Sequence, residues 1–273
     1  MDLKEPYQIT MLIITIITLF FQFFVLYLIL RVSPRTMRSY IPYLAISCIC
    51  EIIFSFNYGI MVMFDVPEVY PGAGLLISGY SKYFGQEFVN FCVAAIYALG
   101  CSILMCQNVC LIFRYLSIRS SPELKNKFTK LPVTLLVYTF VFGISIALGI
   151  ASFFAIASPE EYQSILSTKN LNVPIDLNTT RILARTNRPY LQYFQGATAL
   201  LILMSEVLYL IIVVYILQVL KQNSSSFSKR SILLQRQLTL LLAAELLVPL
   251  IMLILPSIWN LDICFSITRK CFS

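Results

Sequence analysis

The sequence contains no histidine. That removes the commonest metal ligand and the only side chain that ordinarily titrates near neutral pH. Charge is scarce as well: 12% of the residues are charged, against about 25% in a soluble domain. No glycine-rich phosphate loop and no serine–histidine arrangement occurs, and no carboxylate pair stands beside metal partners. Six of the eight cysteines, Cys48, Cys50, Cys92, Cys101, Cys106 and Cys110, lie in apolar segments, and their spacing fits no zinc site. They are expected to be small packing groups. These absences exclude an ordinary soluble enzyme and give no reason to expect a cofactor or a bound metal.

What is present is hydrocarbon. Of the 273 residues, 59% are hydrophobic, and they fall in runs long enough to cross a bilayer core of about 30 Å as helices. The expected fold is an all-α polytopic transmembrane bundle with six spans, at about 9–30, 40–64, 88–113, 133–157, 196–220 and 238–259. The first run is too long for a signal-peptide core and has no small-residue cleavage site after it. Residues 65–86 are expected to be a loop, because Pro67, Pro71, Gly72, Gly74, Gly79 and Gly85 break any period. Residues 158–194 form the longest polar segment. On the fourth run, Gly143, Ser145, Ala147, Gly149 and Ala151 suit close helix approach. Residues 261–273 are too short and too polar to cross. They are expected to form an atypical tail after a receptor-like unit covering 1–260.

The net charge of +7 is distributed by side. Segments 31–38, 114–130 and 221–236 hold twelve lysines and arginines, and the remaining connectors hold eight in about twice the length. Positive residues concentrate on the cytoplasmic side. The bias therefore expects a membrane protein with its N-terminus outside, in contact with lipid and not with nucleic acid. Asn178-Thr-Thr, a glycosylation acceptor, then falls outside. Asn223-Ser-Ser falls inside, where it is not used.

Three carboxyls interrupt the spans: Glu51, Glu206 and Glu245. A charge at mid-membrane costs roughly 2.5–3.5 kcal/mol, so such groups face the bundle interior or a wet cavity. They serve either as interhelical hydrogen-bond partners or as contacts for a ligand or an ion. On the third run, Tyr97, Gly100, Leu104 and Asn108 lie near one face by steps of three and four. They line a pocket or pack as ordinary polar contacts. Candidate ligand contacts are Tyr97, Asn108, Glu206 and Glu245. Arg114 and Tyr115 close the third run at its basic end, the place for cytoplasmic coupling or for simple anchoring. In the last run Pro249 and Pro256 are seven residues apart, on nearly one face, and each removes a helical hydrogen bond. Pro249 clashes with the carbonyl of Glu245, so a bent helix with a carboxyl beside its bend is expected.

Three stretches together resemble the serpentine chemoreceptors of nematodes: Pro34-Arg-Thr-Met-Arg-Ser-Tyr40, Val69-Tyr-Pro-Gly-Ala-Gly-Leu-Leu76, and the run from Leu234 to Pro256 containing Glu245, Pro249 and the second proline. The loop stretch leans towards the H or I class, and the resemblance covers about residues 8–260. It implies a seven-transmembrane plan, a small-molecule or peptide ligand, a heterotrimeric G protein as partner, and residence in the plasma membrane of sensory neurons, in their cilia. Arg114 resembles the arginine closing the third span of such receptors, but it follows Phe113 instead of an acid. Glu245 stands where that group typically has glutamine. A third-span disulfide to segment 158–194 is impossible, because that segment has no cysteine. A recognisable seventh span is not expected, and 261–273 look unlike the family. The competing expectation is a six-span transporter or channel that uses the intramembrane glutamates.

Overall fold

In the computed structural model, residues 4–32, 40–65, 75–118, 130–155, 181–183 and 189–222 are described. Five helices carry the chain: α1 (Lys4–Tyr27), α2 (Ile41–Phe56), α3 (Gln86–Ile118), α4 (Leu131–Ala155) and α5 (Pro189–Gln222). Together with the wider turns that continue α1 and α2 to Val32 and Val62, each gives a stretch long and apolar enough to cross a membrane, from 22 to 31 residues. The expected count of six spans, and with it the seven-span plan, is corrected to five among the described residues. The sixth expected span, 238–259, lies outside them.

The helices outrun their apolar stretches. The third extends from Gln86 to Ile118, beyond the expected 88–113. The fifth starts at Pro189, seven residues before the expected Gly196. Proline suits the first helical position because the amide it lacks has no helical partner there anyway. Residues 189–195 are too polar to belong to a hydropathic run, but backbone bonding does not require apolar side chains. α1 and α2 each end in a wider helical turn, Leu28–Val32 and Asn57–Val62. Such a turn adds one residue and re-aims the chain.

The all-α expectation also misses a small sheet. Strands β1 (Phe64–Asp65), β2 (Leu75–Ile77) and β3 (Arg181–Leu183) pair antiparallel in the order β1-β2-β3. Phe64 faces Ile77, and Leu76 faces both Asp65 and Ile182. The sheet joins the connector after α2 to the polar segment before α5. A short 3-10 helix, Tyr80–Phe84, then leads into α3.

α3 is the central helix, packed against α2, α4 and α5. Three apolar clusters hold it. At its start, Val89, Cys92 and Val93 meet Val62 and Ile77. At its end, Cys106, Cys110 and Phe113 meet Tyr40 and Tyr43 of the α2 start and Tyr138 of α4. Between α3 and α5, Leu111 meets Tyr209, Val213, Ile216 and Leu220. Rings of Tyr43 and Phe113 stack with centroids 4.6 Å apart. The outer faces stay apolar, as lipid requires: on α1 Phe20, Phe21, Phe23 and Phe24 are all exposed.

Candidate functional site

A cavity of about 820 Å³ lies where α3, α4 and α5 diverge. Met105 and Asn108 come from α3, Leu136 and Phe140 from α4, Met204 and Ser205 from α5. All the lining residues belong to apolar spanning stretches. The residues of α3 lie in its C-terminal half and those of α4 in its N-terminal half, so the cavity sits towards the end of the bundle where α3 finishes and α4 begins. Leu136, Phe140 and Met204 are 71%, 66% and 63% exposed, and they form an outward rim.

The polar element of this wall is one bond. The Asn108 amide Nδ2 donates to Ser205 Oγ at 2.6 Å and to the Leu104 carbonyl, one turn back, at 3.1 Å. A carbonyl only accepts, so the Leu104 contact fixes which end of the amide is nitrogen. Asn108 Oδ1 is then buried with no donor among the described residues. Asn108 is 7% exposed.

The other candidates are placed elsewhere. Tyr97 is eleven residues from Asn108 and on nearly the same helix face, but about 16 Å further along the axis. It packs with the cluster at the α3 start. Shared face did not mean shared pocket. Glu206 is buried on α5, on the side that carries Tyr209 and Val213. Neither carboxyl oxygen has a hydrogen-bond partner among the described residues, and Glu206 does not line the cavity. Glu51 accepts a bond from Ser47 Oγ at 3.4 Å, one turn back on α2. Glu245, Pro249, Pro256 and Asn178 lie outside the described residues.

Arg114 is buried at the end of α3, within electrostatic reach of the Tyr40 and Tyr209 phenols. An arginine serving as a membrane anchor alone would extend to the headgroups. This one stays buried, with phenols at the start of α2 and on α5 near enough to act on its charge. Tyr115 packs beside it, against the α3–α5 cluster.

Sequence reasoning missed Ser205, Phe140 and Met204. Ser205 carried a faint signal, as a hydroxyl beside the only acid in the fifth apolar run. The other two look like any lipid-facing residue. Among the described residues no three histidine, cysteine or acidic side chains gather to hold a metal. Six buried cysteines are free thiols.

A family model described as serpentine type 7TM GPCR chemoreceptor Srh matches residues 2–269. The match runs past residue 260, which corrects the expectation that the tail is unlike the family as far as residue 269. No curated protein matches the chain.

Proposed function

The chain belongs to the Srh family of serpentine chemoreceptors, a family of non-catalytic multi-pass membrane receptors, and from that membership we propose that it binds a chemical ligand and passes the signal to a heterotrimeric G protein. The family match over 2–269 carries this reading. The charge bias supports an N-terminus outside the cell, with residues 114–130 and 221–236 facing the cytoplasm. The family's sensory role favours the plasma membrane of sensory cilia. Asn108 is the first candidate ligand contact, because among the described residues it alone of the proposed contacts borders the cavity. Tyr97, Glu206 and Glu245 are further candidates, and Pro249 and Pro256 would supply a bend. Residues 1–260 act as one receptor-like unit.

Arg114 and Tyr115 are the proposed coupling residues. Arg114 is buried at the α3 end, and the Tyr209 phenol of α5 acts on its charge, so a relative movement of α3 and α5 changes its surroundings. That is what a two-state switch requires: a ligand must interact differently with the two arrangements.

The test is nucleotide exchange on a co-reconstituted G protein, with the full chain in vesicles whose ion gradients are collapsed. A panel of volatile and water-soluble attractants and repellents is applied. A response that survives collapse is expected. Arg114→Leu should reduce it by at least roughly tenfold, about 1.4 kcal/mol of differential interaction between states, at unchanged membrane level. Gradient-driven flux abolished by Glu245→Gln, without nucleotide exchange, would instead show a transporter.

A further inference from the structure

The α3–α4–α5 cavity narrows its own occupant. No charged side chain lines it among the described residues. Glu206 follows Ser205 on α5 but is rotated by about 100° around the helix axis, onto the buried side with Tyr209 and Val213. An ammonium group entering the cavity would meet no counter-charge there, at a depth where a charge is expensive. The occupant is therefore uncharged.

Its single polar group follows from Asn108. Both amide protons are directed to acceptors, Leu104 O and Ser205 Oγ. The unmet need is at Oδ1, a buried acceptor with no donor among the described residues. An amide or hydroxyl left in this condition is costly, and any donor brought to it is rewarded. Oδ1 is closed off from the cavity, so the lining must give way for a ligand to reach it while the two amide N–H bonds stay in place. The flexible side chains of Met105 and Met204 in that lining allow this.

The rim gives the route. Leu136, Phe140 and Met204 are exposed on the outer surface of spanning segments. At that depth the surrounding medium is hydrocarbon. Water has too few polar partners in such a cavity to compete.

We propose that the cavity binds a neutral, mainly hydrocarbon alcohol that enters sideways from the bilayer and donates its hydroxyl to Asn108 Oδ1. As the ligand class of the receptor this rests on the reading above. As a binding site it stands on the geometry alone.

Three photoreactive alkyl diazirines of equal chain length test it, one ending in a hydroxyl, one in a methyl and one in an ammonium. Each is cross-linked to the full-length chain in lipid nanodiscs, and labelled peptides are mapped by mass spectrometry. The alcohol should concentrate on 105–112, 136–141 and 201–208. It should exceed the hydrocarbon there by about fivefold, as one net hydrogen bond implies, and the ammonium should label least. Excess unlabelled long-chain alcohol should compete. Asn108→Leu should level alcohol and hydrocarbon. Met204→Trp, at the exposed rim and away from the core, should lower both, which keeps the test valid if the Asn108 variant fails to fold.

Even labelling along the outward faces of all five helices would mean annular contact only and would overturn the proposal. So would equal labelling by alcohol and hydrocarbon in the unmodified chain, or preference for the ammonium. Labelling without any G-protein response would sink the receptor reading and leave the site. A ligand-evoked response without site-selective labelling would do the reverse.

Discussion

Asn108 and Ser205 meet across α3 and α5 in a setting where the unfolded alternative also offers partners. Such bonds within membranes average about 0.6 kcal/mol and reach about 1.7 kcal/mol. A double-mutant cycle of Asn108→Leu and Ser205→Ala, read by reversible unfolding in bilayer mimetics, should give a coupling within that range. At Gly149 the effect is steric. An added Cβ there would lie 2.9 Å from the Ala98 Cβ and 3.2 Å from the Ala94 carbonyl oxygen on α3. Gly149→Leu should destabilise the α3–α4 contact by about 1–3 kcal/mol, as overpacking does. Gly143 has nothing within 4 Å of its position, so Gly143→Ala should be neutral or stabilise by about 0.5–1 kcal/mol through the helix backbone. Thermal unfolding of the two variants side by side separates close packing from general glycine effects. Small residues on the fourth run signalled close approach in the sequence; which glycine makes it depended on the rotation of α4.

Among the elements, the sheet is the least local. β2 lies between β1 and β3, so each of its amides is needed on one side or the other. With no cysteine in 158–194, strand pairing takes the place a disulfide would occupy in tying that segment to the bundle. Leu75→Pro, at the residue that pairs with Leu183, should remove protection from hydrogen exchange at 181–183 while leaving α3 and α4 protected. Unchanged protection at 181–183 would show that β3 is held by something other than β2. The α2 end depends on a side chain as well: Asn57, in the wide turn, donates to the Cys92 carbonyl at 2.8 Å. Strands of two and three residues carry no periodic signal, and the glycines and prolines around them indicated only a break. The helices were legible because an apolar run of about twenty residues is a property of consecutive positions. Their ends were not, because helical bonding continues into polar residues once a nucleus exists.

For the whole molecule, the charge bias and the acceptor at Asn178 make one joint prediction. Expressed in cells with a secretory pathway, the chain should lose one glycan on endoglycosidase treatment, and Asn178→Gln should abolish that shift. A shift that instead disappears with Asn223→Gln would invert the proposed orientation. The basic connectors and the apolar runs lie within short sequence windows, so the sequence by itself determined the multi-pass helical class, the positions of the five described spans and the family. It named Asn108 as a candidate but grouped it with Tyr97, since helical spacing reports face and not depth. Only the tertiary structure decided that Asn108 meets Ser205, ninety-seven positions away, that Glu206 turns from the cavity, and that Arg114 is buried within electrostatic reach of Tyr40 and Tyr209. The physical reason is that local pattern fixes where a helix forms. How that helix is rotated and how closely it approaches its neighbours is fixed by packing between residues far apart in the chain, and that packing sets which polar atoms share one cavity.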